Sequence, residues 1–269
     1  MSGEKACYLY CLAPAARLQF LPATGIDGRE VLVETFGETA AVWSEVEVAD
    51  FSGEAAEARL ADLAWLGPRA VRHEKVIEES MLQAPVLPAR FATLFSSLES
   101  LGVLISGRRP AIGDFFRTLG ESREWSVKGS LDRARARERF AAGRRTFAAT
   151  ISPGARYLQE KRILSEADLM VSPWLAEQCR QASLALRECT QAFRERPTLL
   201  PSHEAGLETI VNWAFLVNPA GEADFTSEVD RLRRDANDHG LDYSLTGPWP
   251  AYSFAPALTF APALTGDTQ

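Results

Sequence analysis

The sequence predicts an α+β protein in two domains. Three observations lead there. Strand-like runs precede a long helical stretch within the first 120 residues, an apolar stripe at helical spacing occupies the middle of the second half, and a strand–helix–strand run follows it. A chain of 269 residues is long enough to bury one large core or two modest ones. The domains expected are residues 1–120 and 121–254, with a disordered tail over 255–269.

In the first half, Ala6 to Leu12 is a short apolar and aromatic run. Two more runs, Glu30 to Phe36 and Ala40 to Val48, flank Gly37-Glu38 at hairpin spacing. In the second of these, Ala40, Val42, Val46 and Val48 share a face broken only by Ser44. Helical character runs from Glu54 to Ser80, with a kink or fresh start expected at Gly67-Pro68 because proline lacks a backbone donor. Pro85 to Pro88 reads as extended and leads into a fourth strand over Ala89 to Phe95. Short helices over Ser97 to Ile105 and Ile112 to Leu119 complete this half. Strand, short connection, strand, strand, helix, strand is a ferredoxin-like order with its first helix much reduced.

The second half opens with a strand at Glu124 to Lys128 and a basic helix over Leu131 to Ala149, and Ser152-Pro153-Gly154 breaks that helix. A long helical region spans Ala155 to Arg196, with a possible interruption at Ser172-Pro173. Its seam, Val171, Leu175, Cys179, Ala182, Leu186, Cys189 and Phe193, has spacings of 4, 4, 3, 4, 3 and 4. A stripe this short reads as a long helical hairpin or insertion, or as packing onto a sheet. Glu208 to Val217 is apolar on both faces and reads as a central strand covered on both sides. A helix carrying Phe225, Val229, Leu232 and Ala236 follows, Gly240 ends it, and Leu241 to Thr246 is the last strand. The end repeats Phe-Ala-Pro-Ala-Leu-Thr from Phe254 and again from Phe260, which argues against regular structure there.

Composition narrows the function. The hydrophobic fraction is 46%, the charged fraction 24%, and the net charge -7. An acidic balance argues against binding a phosphate backbone, and no apolar run reaches the roughly 18 residues of a membrane span. The polar start, Met1 to Lys5, reads as lacking a secretory signal, so a cytosolic setting is expected. Cys7 and Cys11 lie roughly 13 Å apart along a strand, and Cys179 and Cys189 roughly 15 Å apart along a helix. All four read as small buried thiols. Cys7, Leu9 and Cys11 are expected on one strand face.

Catalytic signatures are missing. There is no phosphate-binding Gly-rich loop and no nucleophile elbow. His73-Glu74 begins like a zinc-protease helix, but Ile77 occupies the position of the second ligand, so no metal site and no cofactor are expected. His73, near Arg69 and Arg72, reads as part of a helix-surface or interdomain polar cluster. The arginines at 133, 135, 137 and 139 wrap round their helix and suit a solvated face. Two aromatic clusters remain: Leu63, Trp65 and Leu66 before the proline, and Gly247 to Phe254, where prolines bracket Trp249. The second reads either as a C-terminal clasp over the last strand or as an apolar docking patch.

Together these segments resemble one family. The opening Tyr8-Leu9-Tyr10-Cys11, then Asp62-Leu63-Ala64-Trp65-Leu66, His73-Glu74 with Val76-Ile77, Pro85 to Pro88, Arg90 to Phe95, Glu124 to Lys128, Ser152 to Leu158, and Leu245 to Phe254 are similar to the GvpL/GvpF gas vesicle proteins, in the same order. Ala92 stands where that family often has glycine, and Ala251 where it often has proline. The resemblance implies two α+β domains, no enzymatic activity, and a gas vesicle accessory or minor structural role at the gas-facing surface of the shell. The partners it implies are the hydrophobic shell protein GvpA, whose aggregation this chain would limit during nucleation and assembly, and other gas vesicle accessory proteins. Trp65, Leu66, Trp249 and Tyr252 are the expected apolar contacts. A small-ligand-binding or enzymatic ferredoxin-like protein is the alternative, and an RNA-binding sheet is disfavoured by the apolar face of the first strand and the net charge.

Overall fold

The structure is a computed structural model, and it describes residues 4–51, 54–144, 152–198 and 206–257. It is a mixed α and β protein with antiparallel sheets, and chain contacts divide it into two compact units. One comprises Met1–Glu121 with Trp249–Gln269, the other Ser122–Pro248. Residues 249–254 were expected in the second domain; their place is with the first unit.

The first unit is built on strands β1 (Lys5–Pro14), β2 (Leu32–Phe36), β3 (Thr39–Glu47), β4 (Leu87–Pro88) and β5 (Leu94–Phe95). The sheet order is β2-β3-β1-β4, with β5 also paired to β1. The β2–β3 hairpin closes through Gly37-Glu38, with Gly37 at φ +64°, a conformation that costs glycine nothing. Leu9 pairs with Trp43 but Cys11 pairs with Val42, so Tyr10 is an extra residue, a β-bulge. The bulge resets the alternation. Cys11 therefore joins Tyr8, Tyr10 and Ala13 in the core and does not share the face of Cys7 and Leu9.

The expected strand over Ala89 to Phe95 is split. β4 and β5 each contribute two residues to β1, and between them the chain turns at Ala92, which has φ +60°. Thr93 stabilises the turn, donating from its Oγ1 to the Arg90 carbonyl at 2.7 Å.

Two helices precede β4: α1 (Glu54–Ala61) and α2 (Leu63–Met81). Contrary to expectation, the break falls at Asp62, and α2 runs through Gly67-Pro68. Asp62 caps α2 by accepting from the Ala64 N–H at 2.9 Å. Pro68 lies near this end, and the carbonyl it deprives belongs to exposed Ala64, where water can reach it. The buried residues of α2 are His73, Val76, Ile77 and Ser80, one stripe facing the core beside β1.

Helices α3 (Leu98–Gly107) and α4 (Arg109–Leu119) follow β5. Phe36 lies against Gly102 of α3, and Phe36 shares its sheet face with the partners of Trp43 and Ala41. The sheet is therefore packed on both sides, with α2 and α3 on opposite faces.

The second unit runs β6 (Arg123–Asp132), α5 (Arg133–Ala142), α6 (Pro153–Glu188), β7 (Ala192–Glu195), β8 (Leu207–Val217), α7 (Glu222–Asn237) and β9 (Leu241–Trp249). Its sheet order is β7-β8-β6-β9. Leu131 belongs to β6, so the basic helix starts two residues later than expected, after Asp132, which accepts from the Arg135 N–H at 2.9 Å. Ser152 begins α6 with Pro153 in its first turn. α6 continues through Ser172-Pro173, where both residues and Leu169, whose carbonyl loses its partner, are exposed. It stops at Glu188, not Arg196, because residues 192–195 pair with β8 as an edge strand.

The seam of α6 packs within this unit. Val171, Leu175, Ala182 and Leu186 join Trp125, Val127, Trp213, Phe215 and Val217 of the sheet and Phe225, Val229 and Ala236 of α7. The opposite end of α6 rests on α5 through a small cluster of Ala141, Ile163 and Ala167. β8 is an interior strand, but only Trp213 to Val217 are fully buried, so the expected cover on both faces applies to that half alone. No helix among the described residues is long and apolar enough to cross a membrane. The expected disorder after Phe254 falls mostly on residues 258–269, which lie outside the described residues.

Candidate functional site

Two regions of the first unit carry unusual chemistry, and α2 holds both. The first is its N-terminal half. From Leu63 to Pro68 the helix bears no charge, and Leu63 is 80% exposed, with Val71 close behind at 69%. Trp65 sits in the middle, half-buried. Its ring meets Phe51 edge-on with centroids 5.7 Å apart, and the Arg69 guanidinium lies 4.2 Å above it. Arg69 is itself held by Asp27 at 2.7 Å and by the Trp65 carbonyl at 3.0 Å. The indole is thus fixed between an aromatic wall and a tethered cation, so a partner that touches it would order it at little entropic cost. Leu66 is half-buried beside it.

The second region is a buried polar network around His73, which is 1% exposed. His73 Nε2 faces the Ala89 carbonyl at 3.1 Å, and a carbonyl can only accept. Nε2 therefore carries the proton, and Nδ1 accepts from the Tyr8 hydroxyl at 2.9 Å. The same hydroxyl accepts from the Ala92 N–H at 3.2 Å. Alongside, Tyr10 donates to Ser44 Oγ at 3.1 Å and accepts from the Ile26 N–H at 3.0 Å, while Ser44 donates to the Glu30 carbonyl at 2.7 Å. Ser44, the one polar break in its strand face, is there to satisfy Tyr10. Gly25 makes room for this pair, since a Cβ there would lie 2.4 Å from the Tyr10 hydroxyl oxygen.

Burial sets the electrostatics. Loss of water lowers the His73 pKa to about 4, only partly opposed by its bond to Ala89. It pushes the Cys11 thiol up to about 12 and the Tyr8 phenol well above its usual range. Glu74 is raised by burial, against the bond it accepts from the Tyr252 hydroxyl at 2.7 Å. With both ring nitrogens engaged and no solvent face, His73 is a neutral strut and not the surface residue its arginine neighbours suggested. The four cysteines are free, and among the described residues no group of three or more His, Cys, Asp or Glu is placed to hold a metal ion.

Of the expected contact residues, Trp65 and Tyr252 both pack against the core of the first unit. Tyr252 belongs there through the C-terminal segment, where its hydroxyl bonds Glu74. Trp249 ends β9 and is 41% exposed. The sequence reading missed Tyr8, Tyr10 and Ser44 as a network. A signal existed: His73 lies on the 73, 76, 77, 80 stripe of α2, which marks it as buried, and a buried imidazole beside two strand tyrosines needs their hydroxyls.

A family model described as gas vesicle synthesis protein GvpL/GvpF matches residues 6–256, nearly the whole chain. The chain belongs to the GvpL/GvpF family. Among curated relatives it is 28% identical to gas vesicle protein L of Streptomyces sp. (strain CB03234), over 95% of this chain and 94% of that one. It is 29% identical to gas vesicle protein F of the same strain, over 68% of this chain and 75% of that one. Its fold is similar to the crystal structure of GvpF from Anabaena sp. PCC7120, with a TM-score of 0.66 at 19% identity, covering 94% of this chain and 96% of that chain. GvpF from Microcystis aeruginosa is similar at a TM-score of 0.61 and 20% identity, covering 93% and 99%. Family membership ties this GvpL/GvpF chain to gas vesicles.

Proposed function

We propose that this chain is a non-enzymatic gas vesicle accessory protein that binds the hydrophobic shell protein GvpA by surface contact, limits its aggregation, and assists nucleation and assembly at the gas-facing surface of the shell. The observation that carries this reading is the uncharged first stretch of α2, Leu63 to Pro68, with Leu63 at 80% exposure and the half-buried Trp65 held nearby by Arg69, on a protein of net charge -7. An apolar patch on an acidic, self-repelling protein suits a transient holder of greasy subunits. Trp65 and Leu66 form the centre of the contact, and Trp249 and Tyr252 extend it. The sealed His73 centre offers no free base to solvent, which favours contact over catalysis. We read the first unit as a modified ferredoxin-like domain, and its order β2-β3-β1-β4 supports this. The second unit has the same order, with helices in both crossovers.

Co-expression with the shell protein tests the reading. The chain keeps the shell protein soluble and co-elutes with it. Leu63→Asp with Val71→Asp, both at exposed positions, weakens capture by about tenfold, roughly 1.4 kcal/mol. Unchanged capture by this double variant, and by alanine at Trp65, Leu66, Trp249 and Tyr252, rejects the assignment.

A further inference from the structure

The His73 network joins three parts of the first unit that are far apart in sequence. Tyr8 is on β1, His73 on α2, and Ala89 and Ala92 on the segment linking β4 to β5. The hydrogen bonds form a closed ring. His73 holds Ala89, Tyr8 holds His73, and the Ala92 N–H returns to Tyr8. The ring works in one protonation state only. Once Nδ1 carries a proton, it must donate, and the Tyr8 oxygen then faces two donors, Nδ1–H and the Ala92 N–H. The Tyr8 proton is left without an acceptor at a side chain with no exposed surface. A positive charge is also placed among Tyr8, Tyr10 and Phe91 at a side chain that is 1% exposed, where water cannot solvate it.

The other titratable groups around the ring are accounted for. Tyr8 and Tyr10 face it from β1, and Cys11 follows them. Asp27 is paired with Arg69, and Arg72 donates to the Thr24 carbonyl. Glu74 is bonded to Tyr252 of the C-terminal segment. Among the described residues, the hydrogen-bond partners of the imidazole are the Tyr8 hydroxyl and the Ala89 carbonyl, and neither is a carboxylate.

We propose that this centre is an acid-operated latch, in which protonation of His73 unfastens α2 and the segment 89–95 from β1 while the second unit keeps its fold. The sign follows from linkage. The folded pKa lies below the unfolded value of about 6.5, so the contribution is complete above that pH and is lost as pH falls toward 4. The closed state is disfavoured roughly 20-fold by pH 5 and on the order of 100-fold by pH 4, relative to pH 7. The latch is independent of the docking assignment.

Amide hydrogen exchange from pH 7 to pH 4.5, corrected for the intrinsic pH dependence of exchange, tests it on the full chain. Protection over 87–95 and 73–81 falls roughly 20-fold by pH 5, while the strand residues 213–217 change little. His73→Gln, which can accept from Tyr8 and donate to Ala89 without titrating, abolishes the fall; Glu74→Gln retains it. Equal loss in both units, or the same loss in His73→Gln, overturns the proposal. If His73→Gln does not fold, the imidazole titration of the wild-type protein by NMR decides: a midpoint near 6.5 overturns the latch, and no protonation above about pH 5 supports it.

Discussion

Replacing Ala92 by glycine should stabilise this protein, and the expected size follows from backbone geometry. Ala92 has φ +60°, where the Cβ of an L-residue crowds its own backbone at a cost of about 1–2 kcal/mol. Glycine removes that cost but loosens the unfolded chain by about 0.4–1 kcal/mol. The methyl group lost is partly buried against the core, a further cost of a few tenths up to ~0.8 kcal/mol. The Ala92 N–H bond to Tyr8 is untouched. At mid-range the balance is a gain of about 0.3 kcal/mol. Urea unfolding followed by circular dichroism reads it as a higher midpoint at unchanged slope. Ala92→Val is the control of opposite sign, because a β-branched residue at this φ loses more than 1 kcal/mol, order of magnitude. If glycine lowers the midpoint, or valine leaves it unchanged, the turn is not strained and the account of the split strand fails.

Two further substitutions probe the same unit. Gly25→Ala drives a methyl into Tyr10 and Ser44, whose oxygens would lie 2.4 and 2.6 Å from it, and should cost about 2 kcal/mol in a urea titration. A neutral result would mean the 25–26 loop shifts freely. Tyr252→Phe removes the bond to Glu74 and should cost about 1 kcal/mol. It should also raise the Glu74 pKa further, since the bond that opposed burial is gone, and a carboxyl titration by NMR that shows a fall would contradict this.

Much of the fold is written in local periodicity. The β2–β3 hairpin follows from Gly37, and α7 from the stripe of Phe225, Val229 and Ala236. The α6 seam reads as intramolecular packing, which is what it does against Trp213 and Phe215. What escaped the sequence depends on partners distant along the chain. Proline at 68 and 173 looks like a break until the deprived carbonyls prove to belong to exposed residues, Ala64 and Leu169. Residues 192–195 continue a helical pattern until β8 offers an edge to pair with. The bulge at Tyr10 turns Cys11 inward, and no spacing rule forecasts it. In the candidate site, the exposed apolar start of α2 is legible from Leu63, Trp65 and Leu66. The His73 ring is not, because it closes only when residues 8, 73, 89 and 92 meet.

The long α6 rests on two very different supports. Over its C-terminal half it lies on a sheet and is held by large aromatic neighbours; over its N-terminal half, among the described residues, it rests on α5 through a small cluster of Ala141, Ile163 and Ala167 with Phe140 and Leu164 against it. At about 1.5 Å per residue the rod is ~54 Å long, so its far end lies well away from the unit's main hydrophobic mass. Opening energies should therefore be graded along one continuous helix, lowest toward its start at Pro153 and higher where Val171 meets the core. Such a gradient lets the outer end change its company while the inner end remains anchored.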